Sequence, residues 1–131
     1  MNEIMFNEDS FKNFLDENKG RGYLNIRAYA ANFAIPMSGV EVKVSKIIDN
    51  KKVVFFDGVT NESGIISSII LPTPINTSND LEVPKSITYD IWAKYDDQDL
   101  NYVVSMFSDI SVLQNISVVP SIRLETSIYG G

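Results

Sequence analysis

The sequence predicts an all-β protein, a seven-stranded Greek-key sandwich with a short N-terminal helix and a C-terminal extra strand or arm. Three observations predict it. From Gly22 onward, short runs of residues alternate apolar and polar with a period of two. Clusters of Gly, Pro, Asn and Asp punctuate those runs at short intervals. Helical periodicity is confined to the first twenty residues, and seven short strands with turns between them suit a sandwich better than any helical class.

In chain order, residues 1–20 read as a helical extension. Asn7 can cap its start, with Phe6 as a staple before the cap. Glu8 and Asp9 suit the positive end of a helix dipole, and Lys19-Gly20 is a stop signal. The spacing predicts a helix over about 8–18 with Phe11, Phe14 and Leu15 on one face. Three turns do not stand alone in water, so that face must dock on the sandwich or on another subunit.

The sandwich is assigned to residues 21–120. Its first strand buries Leu24, Ile26, Ala28 and Ala30 and turns Tyr23, Asn25, Arg27 and Tyr29 outward; the second carries Val40, Val42 and Val44. Pro36 and Gly39 mark a connection too long for a tight hairpin, as expected of a crossing between sheets. Lys52 to Thr60 forms the third strand. Gly64 to Leu71 forms the fourth, and its continuous apolar run leaves the inward face open. Residues 72–86 hold three of the five prolines and form the longest loop. Strands follow at Ile87 to Tyr95, Leu100 to Phe107 after an Asp96-Asp97-Gln98-Asp99 turn, and Leu113 to Val119, ending at Pro120. Residues 121–131 keep alternating, with Ile122, Leu124 and Ile128 on one face. That pattern suits an edge strand or an arm paired with a neighbouring subunit.

Composition narrows the function. The 131 residues are 44% apolar and 21% charged, enough for one domain with a real core. The chain has no Cys and no His, which removes disulfides, thiolate sites, the commonest general base and the commonest transition-metal ligand. A net charge of −6 with eleven scattered Lys and Arg argues against nucleic acid. No apolar run is long enough to span a membrane, and MNEIMFNEDSFKNF lacks the basic and apolar regions of a signal peptide. The expected location is therefore the cytoplasm at synthesis, with later incorporation into a virion, a phage-tail-like particle or a spore.

Three segments carry a family resemblance: GYLNIRAYAANFAIPMSGVEVKV, TNESGIISSIILPTP and YDIWAKYDDQDLNYVVSMFSDISVLQNISVVP. Together they resemble the transthyretin-like (prealbumin-like), carboxypeptidase regulatory-like domain found in clostridial and other Firmicute peptidoglycan-binding and spore cortex-lytic proteins. The resemblance covers Gly22 to Pro120 and implies a non-catalytic immunoglobulin-like or transthyretin-like sandwich. The family's glycine-tyrosine turn after the fifth strand is replaced by Asp97 to Asn101, and neither the helix nor the tail belongs to the pattern.

No catalytic, cofactor-binding or metal residues are assigned. Asp97, Asp99 and Asn101 make a D-x-D-x-N run, but a calcium loop would next need Gly at Tyr102 and Glu at Ser108. The bland reading is a solvated turn. Glu41 has no second acid at a spacing that specifies a glycosidase pair. Asn61, Asn76 and Asn115 head Asn-x-Ser/Thr motifs, which mean nothing without a secretion signal. Trp92, the only tryptophan, shares a face with Thr88, Asp90 and Lys94. It is either an exposed anchor for a protein or a sugar ring, or ordinary core covered by the helix or the tail.

The candidate partner contacts are Phe11, Phe14, Leu15, Trp92, Ile122, Leu124 and Ile128. The expected function is a non-catalytic structural or adaptor subunit in a larger assembly such as a phage tail or its baseplate. The alternative is a cell-wall or spore-associated carbohydrate- or peptidoglycan-binding module. Protein partners in a homo- or hetero-oligomer are expected, without cofactors, nucleic acid or membrane.

Overall fold

The computed structural model describes residues 8–31, 33–76 and 84–119. Helix α1 (Glu8–Glu17) is followed by β1 (Gly20–Ala30), β2 (Ile35–Pro36), β3 (Glu41–Ile48), β4 (Lys51–Val59), β5 (Ile65–Thr73), β6 (Ser86–Tyr95), β7 (Gln98–Phe107) and β8 (Ser111–Ser117). Among the described residues, no helix is long and apolar enough to cross a membrane.

Two sheets face each other. In the first, β1 is central: β5 pairs antiparallel with it from Gly20↔Thr73 to Arg27↔Ile65, and β2 pairs at Tyr29↔Pro36 and Ala30↔Ile35. On β1's other side lies β8, parallel to it from Tyr23↔Ser111 to Tyr29↔Ser117. The second sheet is antiparallel in the order β4-β3-β6-β7. Period-two alternation in β1 and β3 puts Leu24, Ile26, Ala28, Val42 and Val44 between the sheets, where they meet Leu71, Tyr89, Ile91, Met106 and Ile116. The chain is thus the predicted all-β sandwich.

Several boundaries differ from expectation, each for a local reason. The connection after β1 does cross to the other sheet, but Ile35 and Pro36 first fold back onto β1 as an edge pair, where the proline lies at the short strand's end. The turn after β6 contains only Asp96 and Asp97, because Tyr95 already pairs with Gln98 and Asp96 takes the left-handed bend (φ 53°). Gly20 is no helix stop. Asn18 ends α1 by donating Nδ2 to the Phe14 carbonyl at 2.8 Å, and Gly20 begins β1. A Cβ at Gly20 would lie 2.7 Å from Ser108 Oγ and 2.9 Å from Thr73 Oγ1. The continuous apolar run of β5 is settled by an irregularity. Ser68 takes a left-handed φ of 55°, its N–H donating to Asn25 Oδ1 at 2.9 Å, and the register shifts there. Ile69 then points inward and Ile70 outward.

The helix docks on its own sandwich. Phe14 is buried, with its ring centroid 5.8 Å from Phe55, and Phe55 meets Tyr89 edge-on at 5.3 Å. Tyr89 Oη donates to the Pro72 carbonyl at 2.5 Å, tying β6 of one sheet to β5 of the other; burial pushes its phenol pKa up, so the neutral donor is the form held there. Ser10 Oγ donates to Asp49 Oδ2 at 2.6 Å beside this cluster.

Two buried threonines make opposite predictions. Thr60 Oγ1 donates to the Met37 carbonyl at 2.7 Å and accepts from Val40 N–H at 3.0 Å, closing the connection into β3. Thr73 is fully buried, and its Oγ1 has no hydrogen-bond partner. Thr60→Val should destabilise by about 2 kcal/mol, because it strands two backbone groups. Thr73→Val should stabilise by about 1 kcal/mol, because it removes a buried hydroxyl that has no hydrogen-bond partner. Denaturant midpoints of the two variants, measured side by side, should move in opposite directions.

Candidate functional site

The two sheets differ sharply in charge. The strands of the first sheet contain no acidic residue, and Arg21 and Arg27 of β1 are their only charges. The second sheet's strands carry Glu41, Asp57, Asp90 and Asp99 together with Lys43, Lys46, Lys51, Lys52 and Lys94. A chain of net charge −6 thus keeps its strand acids off one of its two outer faces.

That face also sets exposed apolar side chains among neutral polar ones. Tyr23 stands beside Ile70, Asn25 beside Leu113, and Arg27 between Ile65 and Asn115. Ile70 and Leu113 are 54% and 53% exposed. These two large aliphatic side chains, on the strands that flank β1, are thus half open to water.

At the end where β2 folds back, the face gains an aromatic cluster. Phe33 meets Tyr29 edge-on with centroids 3.9 Å apart, and the Arg27 guanidinium carbon lies 4.8 Å from the Phe33 centroid and 5.9 Å from that of Tyr29. Phe33 and Ala31 both have left-handed backbones (φ 74° and 55°), an unfavourable conformation for residues with a Cβ. The strained turn holds Phe33 half exposed over a hollow of about 390 Å³ floored by Tyr29, Pro36 and Ile65. Arg, Tyr and Phe gathered around a hollow match the side chains that dominate binding energy at interfaces.

Of the predicted contact residues, the described ones fall in two places, α1 and the outer face of the second sheet. Phe14 is a correction: it sits in the chain's own core and offers nothing to a partner while α1 is docked. Phe11 packs 6.2 Å from Phe55 at the same junction and stays partly exposed. The short helix finds the apolar surface it needs across the sandwich edge, so no second subunit is required to hold it. Leu15 remains 38% exposed. Trp92 lies on the outer face of the second sheet, half buried, with Nε1 donating to Asp99 Oδ1 at 3.0 Å and Lys43 Nζ 5.3 Å from its ring centroid. It is not core covered by α1, because the helix packs elsewhere. Ile122, Leu124 and Ile128, the staple residue Phe6, the cap Asn7 and the middle of the 72–86 loop lie outside the described residues.

The remaining motifs have structural roles. Asn61 Oδ1 accepts from the N–H groups of Ser63 and Ile65 at 2.9 and 3.0 Å, shaping the turn before β5. Asp99 serves Trp92, and no group of three or more acidic side chains able to hold a metal occurs among the described residues. Tyr23 and Tyr29 were legible in the alternation as outward aromatics. Phe33 and Arg27 were not singled out, since the fold-back that brings Phe33 onto Tyr29 has no periodic signal; its trace in the sequence is a phenylalanine in the mainly apolar connection between two strands.

No protein-family model and no curated protein matches the chain. Among solved structures it is similar to Klebsiella pneumoniae 5-hydroxyisourate hydrolase, at 14% identity over 76% of this chain and 91% of that one, with a TM-score of 0.48. It is also similar to transthyretin from Sparus aurata, at 15% identity over 72% of this chain and 90% of that one, with a TM-score of 0.45. These neighbours are of the transthyretin-like kind, and they say nothing of a Firmicute, spore or cell-wall setting.

Proposed function

We propose that the protein is a non-catalytic structural subunit that assembles with copies of itself through the outer face of its first sheet, as a repeated part of a larger particle such as a phage tail or tail-like baseplate. The observation that carries this reading is the charge segregation. Two chains of net charge −6 repel, and the face formed by β1, β5 and β8 is where the strands offer apolar surface without acids. Arg27, Tyr29 and Phe33 supply the anchors, and Ile70 and Leu113 the flat apolar centre. Strand β8 pairs only with β1 among the described strands, so its other side is open to a further strand, whether from the tail at 121–131 or from a neighbour. A non-catalytic role accords with a chain that has neither His nor Cys.

Light scattering tests the reading. The wild-type chain is expected to form a defined oligomer at ~100 µM, a concentration at which even weak isologous contacts are populated. Ile70→Glu combined with Leu113→Glu should yield a monomer with an unchanged fold, because both side chains are half exposed and point away from the core. A monomeric wild type, or a double variant that assembles as the wild type does, overturns the proposal.

A further inference from the structure

The opposite sheet carries a second, chemically different surface. On the outer face of β3, β6 and β7, Lys43 stands across from Trp92 and Trp92 from Asn101, while Ser45 stands across from Asp90 and Asp90 from Val103. Ser45, Asp90, Trp92, Asn101 and Val103, with Ile47 and Lys52, border an open groove of about 380 Å³. The indole is fixed within it, since Nε1 is held by Asp99 at 3.0 Å and Lys43 Nζ lies 5.3 Å from the ring centroid.

The groove's chemistry selects among ligands. A purely apolar ligand would cover Asp90 and Lys52 without giving them partners. An anion would face Asp90, and a cation would face Lys52. A neutral ligand with one apolar face and a rim of hydroxyls meets neither objection. Its C–H face can lie on Trp92. Its hydroxyls can donate to Asp90, accept from Lys52, and do both with Asn101 and Ser45. Ile47 and Val103, both more than half exposed, add small apolar contacts that an acetamido methyl would fill.

We propose that this groove binds a saccharide, with Trp92 as the stacking platform and Asp90 and Asn101 as the hydroxyl-reading pair. The site lies on the sheet opposite the assembly face, so it stands or falls independently of the proposed self-assembly.

Because Trp92 is the only tryptophan, its emission reports the groove directly. The probes are the β-1,4-linked tetramers of N-acetylglucosamine and of glucose, titrated into the full chain. A saturable change in emission with at least one tetramer is expected, weakened about tenfold in Asp90→Ala and in Asn101→Ala, the loss of one hydrogen bond to a charged or amide group. Both substitutions are at solvent-facing strand positions, and unchanged melting curves would exclude unfolding as the cause. If neither tetramer gives a saturable change up to about 10 mM, a range that would reveal even millimolar binding, the proposal fails. It fails equally if the change survives undiminished in both variants.

Discussion

Replacing Gly64 with alanine is expected to cost the fold about 3 kcal/mol or more, the combined scale of backbone strain and overpacking. Gly64 has a left-handed φ of 76°, and a Cβ there would lie 2.4 Å from the Ala28 carbonyl oxygen and 3.0 Å from the Met37 nitrogen. Both are backbone atoms with no rotamer to yield. The same glycine also holds the turn together: its carbonyl accepts from Ala28 N–H at 2.7 Å, and its N–H donates to the Asn61 carbonyl at 2.8 Å. A displaced Gly64 would therefore loosen the point where β1, the β2 fold-back and the start of β5 meet. Gly39 is the control, with a similar φ of 78° but open space where a Cβ would go. Gly39→Ala should cost only the conformational part, about 1 kcal/mol. Denaturant unfolding of the two variants separates the clash from the φ; equal losses would refute the packing described for Gly64.

The second large effect is expected at Phe14. Truncation to alanine should cost about 3–4 kcal/mol, the range for a buried phenylalanine whose cavity cannot fully collapse. The loss falls on the junction where Phe14, Phe55 and Tyr89 meet and where Tyr89 ties the sheets through Pro72. A ten-residue helix is marginal in water once its anchor is gone, so helical circular dichroism should fall before the sheets unfold. Leu15→Ala, one residue away and more exposed, should change stability by no more than about 0.5 kcal/mol. Equal effects at the two positions would mean that α1 is not docked by its phenylalanine face.

The sandwich was legible where burial is one-sided. Leu24, Ile26, Ala28 and Ala30 announced β1, and Val42 and Val44 announced β3, because a strand with one wet face must alternate. The inward face of β5 was not readable, because its apolar run is broken by a left-handed Ser68 and that bend carries no hydrophobic signal. The parallel pairing of β8 with β1 and the order of the second sheet are long-range choices that local pattern does not encode. The helix's phenylalanines were legible as an apolar face in need of cover, while the cover itself, Phe55 and the region of Tyr89, lies some forty to seventy-five residues further along the chain. The candidate assembly face was half legible: alternation turned Tyr23, Arg27 and Tyr29 outward, but the absence of acids becomes a property of a surface only once β1, β5 and β8 are known to be neighbours.

The most direct test of the central claim asks which outer face is covered when the protein assembles. The chain has no cysteine, so single thiols can be placed without ambiguity at Leu113 on the first sheet and at Val103 on the second. Maleimide labelling of each variant under native conditions, at low and at high protein concentration, reads that cover by mass action. Self-assembly through the first sheet predicts that labelling of Leu113→Cys slows as concentration rises, while that of Val103→Cys does not. Equal rates at both concentrations for Leu113→Cys, or protection of Val103→Cys instead, would contradict it.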